Sequence, residues 1–250
     1  MTIETISVRP AGVPSRPRVH CQAVGAPPVT TMSGIRAVLF DVDGVIADTA
    51  VLHAAAWRRL AVEVGLGFDD RLADAVRGVT REESLDIVLG DRRLSRRRRT
   101  EWMDRKNRYY VEALGQLAER DLLPGVMTLM DDLSRLGIRI AAVSASRNAG
   151  TVLEKLAVTD RFEVVIDGQA AGPGTGASNR YLAAAAAMGV GATQCAVIED
   201  SAAGIEAATA ARMKVVGIGT PVRMAGADLV FESLSGVRGD MLIRWLSPGG

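Results

Sequence analysis

Long hydrophobic runs are missing from this chain of 250 residues, and no uninterrupted apolar stretch reaches the ~20 residues that a bilayer span needs. Cysteine is scarce. Cys21 and Cys195 form no spaced pattern, which argues against a disulfide framework, and Cys195 lies in an apolar run as a small core residue would. An excess of one charge sign is missing too, with 30 Lys and Arg against 29 Asp and Glu, so net charge suggests no nucleic acid or other polyanion as partner. Arg9, Arg16 and Arg18 lead into no apolar segment, so no signal peptide is expected. These absences predict a soluble, cytoplasmic protein with no membrane partner, long enough for one large domain or two modest ones.

Prolines are present but uneven. Pro10, Pro14, Pro17, Pro27 and Pro28 are five of the nine, and the stretch 1–34 that holds them has no periodic apolar pattern. Such a composition buries too little surface to offset ordering entropy, so residues 1–34 read as a flexible extension. A translation start at Met32 would remove nearly all of it.

From Ile35 onward, short apolar runs alternate with helical stretches. "IRAVLFDV", "RIAAVSA" (139–145), "FEVVID" (162–167), "CAVIED" (195–200) and "KVVGIG" (214–219) read as strands. Helices are expected between most of them, as in "VMTLMDDLSRL" and "SAAGIEAATAA". The pattern predicts an α/β fold, a doubly wound, mainly parallel Rossmann-like sheet. The interval from 51 to 121 contains no convincing strand. It reads instead as helices at "VLHAAAWRRLAVEV", "TREESLDIVL" and "RRTEWMDRKNRYYVEALGQL", with a capping box from Thr80 to Glu83. The expected organisation is a core domain from 35–50 and 122–250, with a small helical cap domain, 51–121, inserted after the first strand.

Polar residues gather where the strands end: Asp41 and Asp43, Ser144 and Ser146, Asp167, then Glu199 and Asp200. Ligands of open α/β sheets bind outside the carboxyl ends of the strands. Carboxylates converging there repel one another unless a cation sits among them, and oxygen-only ligands favour Mg²⁺. Any one of these aspartates could instead cap a helix, but capping does not explain three strand ends at once. The run "RRLSRRRR" (92–99) lacks interleaved aromatics and is followed by Glu101 and Asp104, so it reads as a solvated helix face.

"FDVDGVIADT", "SAS" and "IEDS" resemble three of the four motifs of the haloacid dehalogenase superfamily of phosphoryl-transfer enzymes. "DTAVLHAAAWRRL", "RGVTREESL", "RKNRYYVEAL" and "LPGVMTLMDDL" extend the resemblance to its β-phosphoglucomutase branch, from Ile35 to about Gly219. The resemblance implies Asp41 as the nucleophile that becomes an aspartyl phosphate, and Asp43 as general acid and base. It implies Mg²⁺ on the Asp41 carboxylate, the Asp43 carbonyl, Glu199 and Asp200, with Ser144 and the Ala145 amide holding the transferring phosphoryl group. Arg81, Ser146 and Asn148 match positions for a second, unreactive phosphate, and Thr49, His53, Trp57, Lys106 and Asn107 match lid or sugar-site positions. On its own terms, His53 reads as a surface or core histidine and Trp57 as lid packing.

The fourth motif departs from the pattern. Where a lysine is expected, the chain has Thr175 in "GPGTGASNRY", and residues 168–179 hold no charged side chain. Four readings are open: Arg180 substitutes, Arg147 or Lys155 does, the Gly-rich loop folds over a different substrate, or catalysis is lost. The function implied is a mutase converting β-glucose 1-phosphate, or a related sugar or cyclitol phosphate, to the 6-phosphate. A phosphatase of the same fold and a non-catalytic phosphosugar-binding protein are the alternatives. A monomer acting on a small molecule is expected.

Overall fold

In a computed structural model of the chain, the described residues are 34–169 and 178–247, within one of the chain's two units, Ser33–Gly250. The proline-rich stretch up to residue 33 and residues 170–177, with Thr175, lie outside them.

Six parallel strands form the sheet: β1 (Ala37–Asp41), β2 (Arg139–Val143), β3 (Val164–Ile166), β4 (Cys195–Glu199), β5 (Lys214–Ile218) and β6 (Leu229–Phe231). Their order is β3-β2-β1-β4-β5-β6. The connection reverses between β1 and β4, which is where such sheets open a crevice for ligands. In register, Asp41 pairs with Val143 and Phe40 with Ile198, so β1 and β4 end side by side. The five strands expected from sequence are present. β6, three half-buried residues at the edge of the sheet, is a sixth.

Between β1 and β2 the chain is helical: α1 (Ala50–Glu63), α2 (Asp70–Ala75), α3 (Arg81–Leu89) and α4 (Arg96–Ala113). The Thr80 hydroxyl accepts from the Glu83 amide at 3.3 Å and the Glu83 carboxylate from the Thr80 amide at 2.8 Å, which completes the expected capping box. Trp57, Leu60, Val76, Leu85, Val88 and Leu89 give this insert an apolar cluster of its own. Its two crossings to the sheet lie together: Ala47 forms an isolated bridge with Leu122, and the Leu123 amide donates to the Ile46 carbonyl at 2.9 Å.

Strand residues alternate in facing direction, and every residue of β1 is buried, so helices must cover both sides. α5 (Val126–Arg135) and α6 (Ala149–Lys155) pack in the cluster that contains Val38 and Phe40. α7 (Ser178–Ala187) and α8 (Ala202–Ala210) pack in the cluster that contains Ala37 and Leu39. A last helix, α9 (Gly239–Leu246), joins the first of these through Leu242 and Leu246. No described helix is long and apolar enough to cross a membrane. In the arginine run, Arg99 pairs with Asp86 at 2.6 Å, while Arg92, Arg93, Arg96, Arg97 and Arg98 are exposed.

Candidate active site

Three carboxylates meet at the crevice. Asp41 ends β1, Glu199 ends β4 and Asp200 follows it; all three are buried, with oxygens within 4.8 Å of one another. Burial, followed by the charges of Glu199, Asp43 and Asp200, holds the Asp41 carboxyl well above the usual range. Burial and the Glu199 charge likewise push Asp200 up to about 7. So much buried negative charge calls for a cation, and a donor set of carboxylate oxygens fits a hard one. Glu199 is held in place: its Oε2 accepts from the Asp200 and Ser201 amides and from the Ser201 hydroxyl. Its Oε1 accepts from the Tyr181 hydroxyl at 2.5 Å and keeps a lone pair for an ion.

The insert reaches directly onto these groups. Arg77 donates to Asp200 Oδ2 at 2.6 Å. Gly78, at φ +69°, leaves no room for a side chain, since a Cβ there would lie 2.1 Å from Ser201 Oγ. Gly44, at φ +103°, is constrained in the same way by Asp200 Oδ2 at 2.2 Å.

Asp43 is turned towards the insert. Thr49 donates to its Oδ1 at 2.7 Å, Tyr110 to the same oxygen at 3.3 Å, and Ser144 to Oδ2 at 2.9 Å. Burial would raise this carboxyl, but the His53 charge and hydrogen bonds from His53, Thr49 and Ser144 outweigh burial and hold it far below the ordinary range. His53 stacks on Tyr110, places Nε2 at 3.5 Å from Asp43, and shares a proton through Nδ1 with Lys106 Nζ at 2.5 Å. Burial, then the Lys106 charge, drives the imidazole towards neutrality, and burial with the Arg81 charge pulls Lys106 down to about 7. Lys106 also sits against the Trp57 and Tyr110 rings, 5.3 and 5.1 Å from their centroids.

The remaining sequence-expected residues meet around Arg81 and Ser146, which line the cavity. Arg81 donates to Asn107 Oδ1 at 2.8 Å and Asn148 to the same atom at 3.0 Å, so α3, α4 and the loop after β2 touch at one point. Ser146 hydrogen-bonds the Ser144 hydroxyl through its amide and caps the Asn148 amide at 3.2 Å. Asp41, Asp43, His53, Trp57, Arg81, Lys106, Ala145 and Ser146 line one cavity with about 50 Å³ of space. That is well under the roughly 300–1,000 Å³ of ordinary small-molecule sites, so the insert is closed over the crevice.

Asp167, expected on the same edge, is not part of the three-carboxylate group and instead accepts from the Gln169 amide at 2.9 Å. Three residues that contact the carboxylates were not singled out from sequence: Arg77, Tyr110 and Tyr181. Arg77 and Tyr110 lie within the stretches that carry the family resemblance. Tyr181 has no such signal beyond its place in the first turn of a helix after a strand.

The chain belongs to the haloacid dehalogenase-like hydrolase family, whose profile matches residues 35–212. Within it the chain is β-phosphoglucomutase-like. It is 38% identical over 212 residues to the β-phosphoglucomutase of Bacillus subtilis strain 168, covering 83% of this chain and 94% of that protein. The crystal structure of a β-phosphoglucomutase from Clostridium difficile superposes with a TM-score of 0.81 at 34% identity, over 85% of this chain and 97% of that one. A phosphorylated carbohydrates phosphatase of Thermotoga maritima is 28% identical over 184 residues, 71% of this chain and 82% of that protein. Mutases and phosphatases are therefore both among its relatives.

Proposed function

We propose that this protein is a Mg²⁺-dependent mutase that moves a phosphoryl group between two hydroxyls of one sugar phosphate, β-glucose 1-phosphate or a related sugar or cyclitol phosphate. It acts as a cytoplasmic monomer, with the insert serving as a cap domain that opens for exchange. The observation that carries this reading is a second phosphate-competent group in the same cavity: Asp41 and Arg81 both line it, and Arg81 is held by Asn107, which also accepts from Asn148. A phosphate that stays on the sugar needs the second group; water as acceptor does not. Arginine there can fork onto phosphate oxygens.

A phosphoryl group carried on Asp41 passes to the free hydroxyl of the sugar monophosphate, whose proton goes to Asp43, and a bisphosphate results. The bisphosphate binds again in the opposite orientation. Asp41 attacks its other phosphorus, the departing sugar oxygen takes the proton back from Asp43, and the isomeric monophosphate leaves with Asp41 phosphorylated again. Asp41, the Asp43 carbonyl, Glu199 and Asp200 would hold Mg²⁺, which supplies charge neutralisation for the phosphoryl oxygens. The Ser144 hydroxyl and Ala145 amide orient those oxygens. Thr49, His53, Tyr110 and Lys106 set the charge on Asp43, and Trp57 keeps water from Lys106.

The phosphatase reading draws support from the Thermotoga maritima relative, and phosphorus NMR separates the two. With Mg²⁺, β-glucose 1-phosphate and a trace of the 1,6-bisphosphate, the expected product is glucose 6-phosphate. Asp41→Asn should lose at least about a thousandfold in rate. Inorganic phosphate as the product would overturn the mutase in favour of the phosphatase. Ligand-induced stabilisation with no turnover on any sugar phosphate tried would leave a binding protein.

A further inference from the structure

The stretch 168–179 contains no charged side chain, so a cation for Asp41 must come from elsewhere in the chain. Most nearby cations are already engaged. Arg77 bonds Asp200, Lys106 bonds His53, Arg81 bonds Asn107, and Arg147 pairs with Glu82 at 2.6 Å. Lys155 lies in the last turn of α6, the end remote from the strand termini.

Arg180 differs from all of these. It sits in the first turn of α7, and only 4% of its surface is exposed. One guanidinium nitrogen donates to the Gly78 carbonyl of the insert at 3.1 Å. Its Nε is buried without a hydrogen-bond partner among the described residues. Leaving such a donor unpaired is costly, more so when the group is charged, and that cost is removed when an anion fills the place. The next residue, Tyr181, bonds Glu199, so this turn abuts the carboxylate cluster. Gly78, whose carbonyl takes this bond, lines the same cavity as Asp41.

We propose that Arg180, steered by the Gly78 carbonyl, balances the charge of Asp41 and of the phosphoryl group it receives, in the role that Thr175 leaves vacant. This rests on the reading of Asp41 as phosphoryl acceptor. The arginine is five positions later in the chain than the missing lysine, and unlike a loop residue it is aimed by the insert. Charge balance is therefore complete only when the insert is seated.

The test uses trifluoroberyllate, which mimics a phosphoryl group on a carboxylate, followed by fluorine NMR on the full chain with Mg²⁺. Turnover is measured in parallel, and thermal melts check folding. Wild type should form a complex that Asp41→Asn does not. Arg180→Met should weaken that complex and lower kcat by about a hundred- to a thousandfold, with a smaller change in KM. Arg180→Lys should keep part of the activity, and millimolar guanidinium or a second change, Thr175→Lys, should restore at least tenfold to Arg180→Met. If Arg180→Met binds trifluoroberyllate and turns over within threefold of wild type, the inference is overturned. It is also overturned if all three rescues fail, because the loss is then structural. A wild type with no Asp41-dependent complex would overturn the acceptor reading itself, and this inference with it.

Discussion

Asp43 is held as an anion by His53 first and by the Thr49 and Ser144 hydroxyls after it. The Thr49 hydroxyl at 2.7 Å is the shortest of its bonds, and Thr49 is fully buried. Thr49→Val keeps the shape and removes that donor, so the Asp43 pKa should rise and kcat should fall by about tenfold to a hundredfold. A pH–rate profile checks this, and an unmoved acidic limb would show that Thr49 only packs. Much of the site was legible at this scale, because "DVDGVIADT" and "IEDS" place acids and hydroxyls where strands end. What could not be read was pairing across the chain. Tyr181 meets Glu199 from 18 positions away and Arg77 meets Asp200 from 123 positions away, and no local pattern encodes either meeting.

Among the elements, the turn between α2 and α3 matters most to the chemistry. It brings Arg77 to Asp200 and the Gly78 carbonyl to Arg180. Gly78→Ala asks for a left-handed backbone costing roughly 1–2 kcal/mol, besides a Cβ in contact with Ser201. Turnover should drop, and amide exchange in residues 76–84 should speed up, while the strands stay protected. Equal loosening of the strands would mean that the turn supports the whole unit. β1, β2, β4 and β5 were legible because buried parallel strands are continuous apolar runs. α2 was not, since it is six residues long and none of them is buried, so no apolar stripe marks it.

For the whole molecule, the carboxylate cluster links stability to pH and to metal. Asp200 titrates near 7 in the metal-free fold and near the ordinary aspartate value when unfolded. Between about pH 4 and about 7 the folded form therefore holds a proton that the unfolded chain has lost, so this group lowers stability as pH rises through that window. Mg²⁺ should reverse the trend, raising the melting temperature more at pH 8 than at pH 5, because a bound ion must displace that proton. A melting temperature insensitive to Mg²⁺ at both values would remove the metal from the account. The bridge between Ala47 and Leu122 has a different kind of consequence. Both ends of the insert are clamped at one place, so lengthening or shortening it alters its reach over the crevice without changing the spacing of the strands, and the entropy of closing a longer loop grows only slowly. Within such a chain, the choice of substrate can drift by insertion and deletion while the reacting aspartates stay where they are.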